Sequence, residues 1–280
     1  MQILSMDIGG GTKNILLYDS RRSLENSVKL VLPTPSLIHA DRVRSTTRIG
    51  KDIFIRGDTI GGGGFTEAVR EHIASGHRVL MTSQAAYSIR NDLDEVRKMG
   101  IEIATEAPKG FRGEVVQIEE IGLSALRSFL SGLGENLGDI DAIAVAVQDH
   151  GVAPKGMSNR RFRLREMEKT LKKNPKLENL AFRWENVPKG FIRMCSAAQV
   201  VKRDLPNAMA LVMDTAPAAV LGCLTDPLAR EQDPAMVVNV GNCHTLAAVI
   251  RQGKVVGLAE HHTHSLTPQK IARFLQRLAE

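Results

Sequence analysis

The chain has 280 residues, 43% hydrophobic and 24% charged, with 4% aromatics. That balance is typical of a soluble globular protein and leaves room for one large or two ordinary domains. No apolar run reaches membrane-span length, the strand-like start carrying Asp7 is unlike a signal peptide, and three scattered cysteines (Cys195, Cys223, Cys243) argue against a disulfide scaffold and for a reducing cytoplasm. The net charge of +6 is local, because Arg160 to Lys176 holds eight basic residues against two acidic ones.

In chain order, strands are expected at 2–8, 12–18 and 27–32, a meander that ends at Pro33 and Pro35. Strand Ile53–Ile55 precedes the glycine run Gly61–Gly64, and a helix follows from Thr66 to Gly76. A short buried strand at Val79–Met81, a helix capped by Asp92 and closed at Gly100, strand 114–118, helix 122–132 and strand 142–147 continue an α/β alternation. Residues 151–207 read mainly as helix, punctuated by Pro175, Pro188 and Pro206. A strand from Ala208 ends at Asp214, and strands 235–240, 245–250 and 254–259 form a second meander. The last helix starts at Thr267-Pro268 and carries Ile271, Phe274, Leu275 and Leu278 on one face.

Each meander begins with a buried strand, a polar residue and a glycine turn: Met6-Asp7-Ile8-Gly9-Gly10-Gly11-Thr12, and Val238-Asn239-Val240-Gly241-Asn242-Cys243-His244-Thr245. Such a repeat predicts two related half-domains whose turns face each other and clamp phosphates. Three glycines allow left-handed backbone angles, so successive N–H groups can converge on an anion. Thr12 adds a hydroxyl, Lys13 can reach a phosphate, and Asp7 is placed to hold Mg²⁺ through water. The plainer alternative is a hairpin with a glycine-rich turn.

Asp7-Ile-Gly-Gly-Gly-Thr12 resembles the first phosphate motif of the actin-like ATPase superfamily of sugar kinases, acetate kinases and chaperone ATPases. Asn239-x-Gly241-x-x-x-Thr245 resembles the second, and the apolar strand from Ala142 to Gln148-Asp149-His150-Gly151 resembles the connecting motif. The resemblance implies an α/β fold of duplicated ribonuclease H-like domains: 1–150 as the first half-domain, 151–207 as a helical insertion or connector, and 208–280 as the second. That second copy either ends early or continues beyond residue 280. Mg and ATP are the implied cofactors. Asp7, Gln148, Asp149 and His150 would carry catalysis, while Gly9, Gly10, Gly11, Thr12, Lys13, Asn239, Gly241, Asn242 and Thr245 would bind phosphate. Asn239 stands where the superfamily has Asp, and no adenosine motif follows the last helix.

Gly57-Asp-Thr-Ile-Gly-Gly-Gly-Gly64, Asp214-Thr-Ala-Pro-Ala-Ala-Val-Leu-Gly222 and Glu260-His-His-Thr263 resemble a largely archaeal family labelled putative pyruvate formate-lyase activating enzyme. A radical-SAM activase needs three cysteines in one tight C-x₃-C-x₂-C loop, and here they stand at 195, 223 and 243. Asp58, Thr59, Gly61, Gly62, Asp214, Thr215, Glu260, His261 and His262 are candidates for the second substrate.

Several alternatives stay open. Gly61–Gly64 is a second anion site or a flexible loop. Glu260-His261-His262-Thr263-His264 holds a metal, lines the cleft or is a polar turn, with His261 and Thr263 on one side of the extended chain and Glu260, His262 and His264 on the other. Cys195 and Cys223 are core thiols or bridge an iron–sulfur cluster in a homodimer. The basic run is a solvated face or attracts an anionic partner. Phe162 is its one aromatic, too little to interleave with the charges, so nucleic acid is not the expected partner. The reading that results is an Mg-ATPase or a kinase for a small acceptor. Its rivals are a non-catalytic nucleotide or metabolite binder and a metal-dependent hydrolase.

Overall fold

The structure, a computed structural model, describes residues 1–138 and 140–280. Thirteen strands and ten helices alternate in order: β1 Gln2–Ile8, β2 Thr12–Asp19, β3 Val28–Pro33, α1 Pro35–Arg48, β4 Ile53–Gly57, α2 Gly63–Ala74, β5 Val79–Met81, α3 Ser83–Ala86, α4 Leu93–Lys98, β6 Ile101–Ile103, β7 Glu114–Ile118, α5 Leu123–Ser131 and β8 Ala142–Val147. They continue with α6 Asn159–Lys173, β9 Phe182–Arg183, α7 Ile192–Asp204, β10 Met209–Met213, α8 Thr215–Cys223, α9 Pro227–Arg230, β11 Ala235–Val240, β12 His244–Arg251, β13 Lys254–His262 and α10 Pro268–Ala279.

Three sheets organise them. A six-stranded sheet runs β3-β2-β1-β8-β10-β9, a four-stranded sheet runs β6-β5-β4-β7, and a three-stranded sheet runs β11-β12-β13. In the first, β1, β8 and β10 are mutually parallel, so Asp7, Asp149 and Asp214 gather at one end of neighbouring strands. Helices α5 and α7 supply Leu126, Leu130, Met194, Ala197 and Val201 to the core beneath this sheet. The four-stranded sheet, all parallel, packs its own core against α1 and α2. The third core joins Met167 and Leu171 of α6 and Val220 of α8 to Val237, Leu246 and Ile250 of the three-stranded sheet. No helix among the described residues is long and apolar enough to cross a membrane.

Four differences from the expected organisation have physical causes. The strand after residue 208 belongs with the first sheet rather than the second meander, since Met209–Met213 runs parallel to Ala142–Ala146. A boundary at 208 would therefore cut a hydrogen-bonded sheet. Residues 35–118 form a separate unit inside the span 1–150. Its first helix begins with Pro35 directly after β3, and proline at the first helical position starts a helix as readily as it ends a strand. Finally, α2 begins at Gly63 rather than Thr66, with Ser36 of α1 taking the Phe65 N–H at 3.1 Å.

Candidate functional site

The two glycine turns are closed alike. Gly9 N–H donates to the Thr12 carbonyl at 3.0 Å, and Gly241 N–H donates to the His244 carbonyl at 2.9 Å. In each, a threonine just past the third strand donates its hydroxyl to the first glycine's carbonyl: Thr34 to Gly9 at 2.8 Å and Thr263 to Gly241 at 2.7 Å. The strand pairings agree, with Asp7 opposite Asn14 and Asn239 opposite Leu246. The two meanders are thus one unit built twice.

This equivalence matches Asp7 with Asn239, Thr12 with His244, and Lys13 with Thr245. The sequence reading, which paired the two threonines, is off by one residue. Thr245 is fully buried and shares a hydrogen bond with Thr263 at 3.1 Å, so its hydroxyl locks the turn. Lys13 is likewise turned inward, its ammonium donating to the Ile121 carbonyl. Burial lowers its pKa against the pull of Glu120 and Glu119. Neither side chain presents itself to a phosphate.

The turns meet. A Cβ at Gly10 would lie 2.7 Å from Cys243 Sγ, and one at Gly11 would collide with the Asn242 amide. A side chain at either glycine would have to displace the exposed Cys243 or Asn242 side chain of the opposing turn. Beside this contact opens a cleft of about 480 Å³ where all three units converge. Of the residues singled out from sequence, Gly9, Gly10, Thr59, Gly61, Gly62, Gln148, Asp149 and His150 line it, joined by Cys243 and His244. Its far wall carries Thr66, Arg70, Arg90 and Asn91. Asp7, Gly11, Thr12, Asn239, Gly241, Asn242, Asp58, Asp214, Thr215, Glu260, His261 and His262 do not line this cleft.

The three strand-end carboxylates differ in use. The Asp7 carboxylate takes no hydrogen bond from the described residues and is accessible to solvent. Lost hydration, reinforced by Asp214 and opposed by Arg193, raises its pKa to about 6. Asp149 is occupied: it accepts the Met194 N–H at 2.9 Å and the Gly151 N–H at 2.8 Å. It therefore caps the start of α7 from a distance, and burial raises its pKa despite those bonds. Its geometry is that of a positioning group rather than a free base.

Asp214 is a hub rather than a substrate contact. It accepts the Asp149 and Ala216 N–H groups, both at 3.1 Å, and a two-pronged bond from Arg163 at 2.5 and 3.0 Å. Arg163 is fully buried and also donates to Glu260 at 2.5 Å. Burial alone would lower the Arg163 pKa, but the two carboxylates hold it above its ordinary value. Burial pushes the Glu260 pKa up, and the neighbouring His244 and Arg163 pull it below its ordinary value. This triad ties β13 to the end of β10 through α6. The basic run hides its signal: Arg163 shares the i, i+4, i+8 stripe of Met167 and Leu171, the buried face of the helix.

His261 and His262 alternate along β13, but the extended chain ends there, and Thr263 and His264 lie in a 3-10 turn. His150, His244, His262 and His264 form a row with ring centroids 4.9, 4.6 and 5.5 Å apart, while His261 packs on Phe274. His244 Nδ1 lies 2.5 Å from Glu260 Oε1, off the hydrogen-bond axis. Burial, then Arg163 and His244, lowers the His150 pKa to about 4, which keeps its ring neutral at pH 7. No group of three or more His, Cys, Asp or Glu among the described residues is arranged to hold a metal ion.

Sequence reasoning missed Arg193, the second residue of α7. It donates to the Gln148 carbonyl at 2.9 Å, the Ile8 carbonyl at 3.4 Å and Glu120 at 2.5 Å, joining β1, β8 and the loop after β7. Glu120 in turn accepts the Gly61 N–H at 3.2 Å, and a Cβ at Gly61 would press on the Arg193 guanidinium at 3.1 Å. Asp58 accepts the Glu120 N–H at 3.0 Å, and burial raises its pKa to about 6. It braces this loop instead of meeting a substrate. Thr59 lines the cleft, but its hydroxyl is bonded to the Gln84 carbonyl at 2.8 Å.

Cys195, Cys223 and Cys243 lie on α7, on α8 and in the second turn, all as free thiols. No curated protein matches the chain. The family model described as "Putative pyruvate format-lyase activating enzyme (DUF1786)" matches residues 60–280, and the chain belongs to that family.

Proposed function

We propose that the chain has the actin-like ATPase fold and binds Mg-nucleotide in the cleft beside its paired turns, to hydrolyse it or to transfer its terminal phosphoryl group to a small acceptor. The observation that carries this reading is the pair of identically closed glycine turns facing each other, Gly10 against Cys243 and Gly11 against Asn242. Ligands of open α/β sheets sit beyond the carboxyl ends of the strands, where Asp7, Gln148 and His150 stand.

The residues present suit Mg²⁺ held through water, because the Asp7 carboxylate accepts no hydrogen bond and forms no salt bridge among the described residues. The bound metal would supply charge neutralisation between phosphate oxygens. The chain's own part is positioning. Backbone N–H groups of the turns hold phosphate oxygens, Gln148 and the neutral His150 ring orient the attacking oxygen, and Asp149 and Arg193 fix the strand ends on which those groups ride. Phosphate between Gly11 and Asn242 requires the turns to part. Phosphate on the side of Gly9 and His244 does not.

A second reading is favoured by one observation: Asn239 stands where the duplication demands a partner for Asp7. With one carboxylate instead of two, the protein binds nucleotide without turning it over and acts as a regulatory partner. The activase chemistry of the family description is not proposed, since the cysteines sit on three separate elements. A hydrolase built on the histidine row is not proposed either.

Isothermal titration with Mg-ATP tests the first reading. Binding that falls sharply in Asp7→Ala, with phosphate release in the wild type, supports it. Binding without release supports the regulatory reading, and equal heats in wild type and variant remove the clamp from the account.

A further inference from the structure

Helix α6 turns two faces to its surroundings. Arg163 and Met167 point into the protein, while Arg160, Arg161, Arg165 and Lys172 stand exposed along one wall of a groove of about 1090 Å³. The opposite wall is made of four consecutive residues of β13, Val255–Leu258. Successive residues of a strand point to opposite faces, so four in a row on one cavity means that the strand presents its edge. β13 is the outer strand of its sheet. That edge already takes one foreign backbone group, the Val255 N–H donating to the Pro175 carbonyl at 2.7 Å. Beyond it, Val256 is 58% exposed, while the Leu278 side chain of α10 covers one face of Gly257.

The charge is mainly positive, with Glu168 the acidic residue among the described ones that line the groove. Arg160, Arg161 and Arg165 have no carboxylate within salt-bridge distance among the described residues, and Lys172 alone is paired, with Glu168 at 2.7 Å. Leu164 and Leu171 give the groove an apolar floor. We propose that this groove docks an extended acidic polypeptide, which adds to the free edge of β13 while its carboxylates reach the arginines of α6. Backbone pairing supplies affinity in such strand addition, and the flanking side chains supply selectivity. The helix of 15 residues spans roughly 22 Å at 1.5 Å per residue, which matches about six or seven extended residues. Single-stranded nucleic acid is the poorer fit, because no aromatic side chain lines the groove to stack a base. The proposal is independent of the nucleotide reading.

The test is fluorescence anisotropy of the full chain with a labelled peptide of about seven alternating glutamates and valines, the length the groove accommodates. Saturable binding is expected, weakened about tenfold or more by Arg161→Glu with Arg165→Glu, as like charges across an interface are strongly unfavourable. Methylating alternate peptide amides, which leaves the charge unchanged, is expected to weaken it comparably. Both arginines are exposed, and an unchanged circular dichroism spectrum verifies the variant's fold. No saturable binding, equal binding by the charge-reversed variant, equal binding of the methylated peptide, or tighter binding of an oligothymidylate would each overturn the proposal. So would a stable dimer of the chain that the peptide cannot displace from this groove.

Discussion

The two hairpins share one backbone plan and differ in what they carry and in what holds them. The first offers an unpaired Asp7 and is embedded in a six-stranded sheet through β1 and β8. The second has Asn239 in the matching place and His244 where the first has Thr12, and it belongs to a three-stranded sheet tied to the rest by the buried Arg163 triad. Backbone N–H groups survive duplication because they need only the turn. Side chains diverge because the turn's closure asks nothing of them: Asp7 and Asn239, or Thr12 and His244, fit the same backbone.

The largest expected effect comes from breaking the tie. Arg163→Ala leaves Asp214 and Glu260 buried without their cation, and the loss of stability should be about 3–5 kcal/mol. Chemical denaturation measures it. A loss below 1 kcal/mol would mean that the second hairpin is held by other contacts.

Next is the asymmetry of the carboxylates. Asp7→Asn should weaken Mg-ATP binding by about 10–100-fold, the scale of residues that act on a metal through an intermediary. Asn239→Asp should change it far less. The pH profile sharpens this. The Asp7 pKa of about 6 means that its carboxylate is protonated as pH falls through 6. Affinity should therefore drop more steeply below that pH in the wild type than in Asp7→Asn, where only the nucleotide's own phosphate titrates. The same raised pKa means that the folded state binds the proton more tightly than the unfolded one. Asp7 thus costs stability as pH rises from its ordinary value of 3.8 to about 6.

Contact between the turns gives a smaller effect. Gly10→Ala should cost about 1 kcal/mol, the low end of overpacking since the exposed Cys243 side chain can shift, and Cys243→Ala in the same chain should recover much of it. Additive losses in the double mutant would show that the turns do not touch in solution. Of the same size are the hydroxyl anchors. Thr34→Val and Thr263→Val should each cost about 1 kcal/mol, and similar values are the signature of a repeated unit.

Much of this architecture was readable from residue pattern. Strand, glycine turn and strand recur with the same register, so both hairpins were legible, and the alternation of Glu260 and His262 against His261 followed from the two-residue period of an extended chain, whereas His264 joins the row from the tight helical turn at Thr263–Ser265 that follows the strand. What stayed hidden depended on distance. Nothing local marks β10 as a neighbour of β8, or Arg193 as the bond between β1, β8 and Glu120, since those contacts close over 45 to 185 residues. Thr245 misled because a threonine after a turn reads as a phosphate ligand, whereas one residue of register decides whether its side chain faces the cleft or the core. Arg163 was legible only as charge, and its place on the apolar stripe of α6 was the neglected signal.

The most direct measurement is a crystal structure with Mg²⁺ and a nonhydrolysable ATP analogue. The account predicts terminal phosphate oxygens within hydrogen-bond distance of N–H groups from both Gly9–Thr12 and Gly241–His244, with Asp7 facing the metal's water shell. A nucleotide bound to only one turn, or outside this cleft, would contradict it.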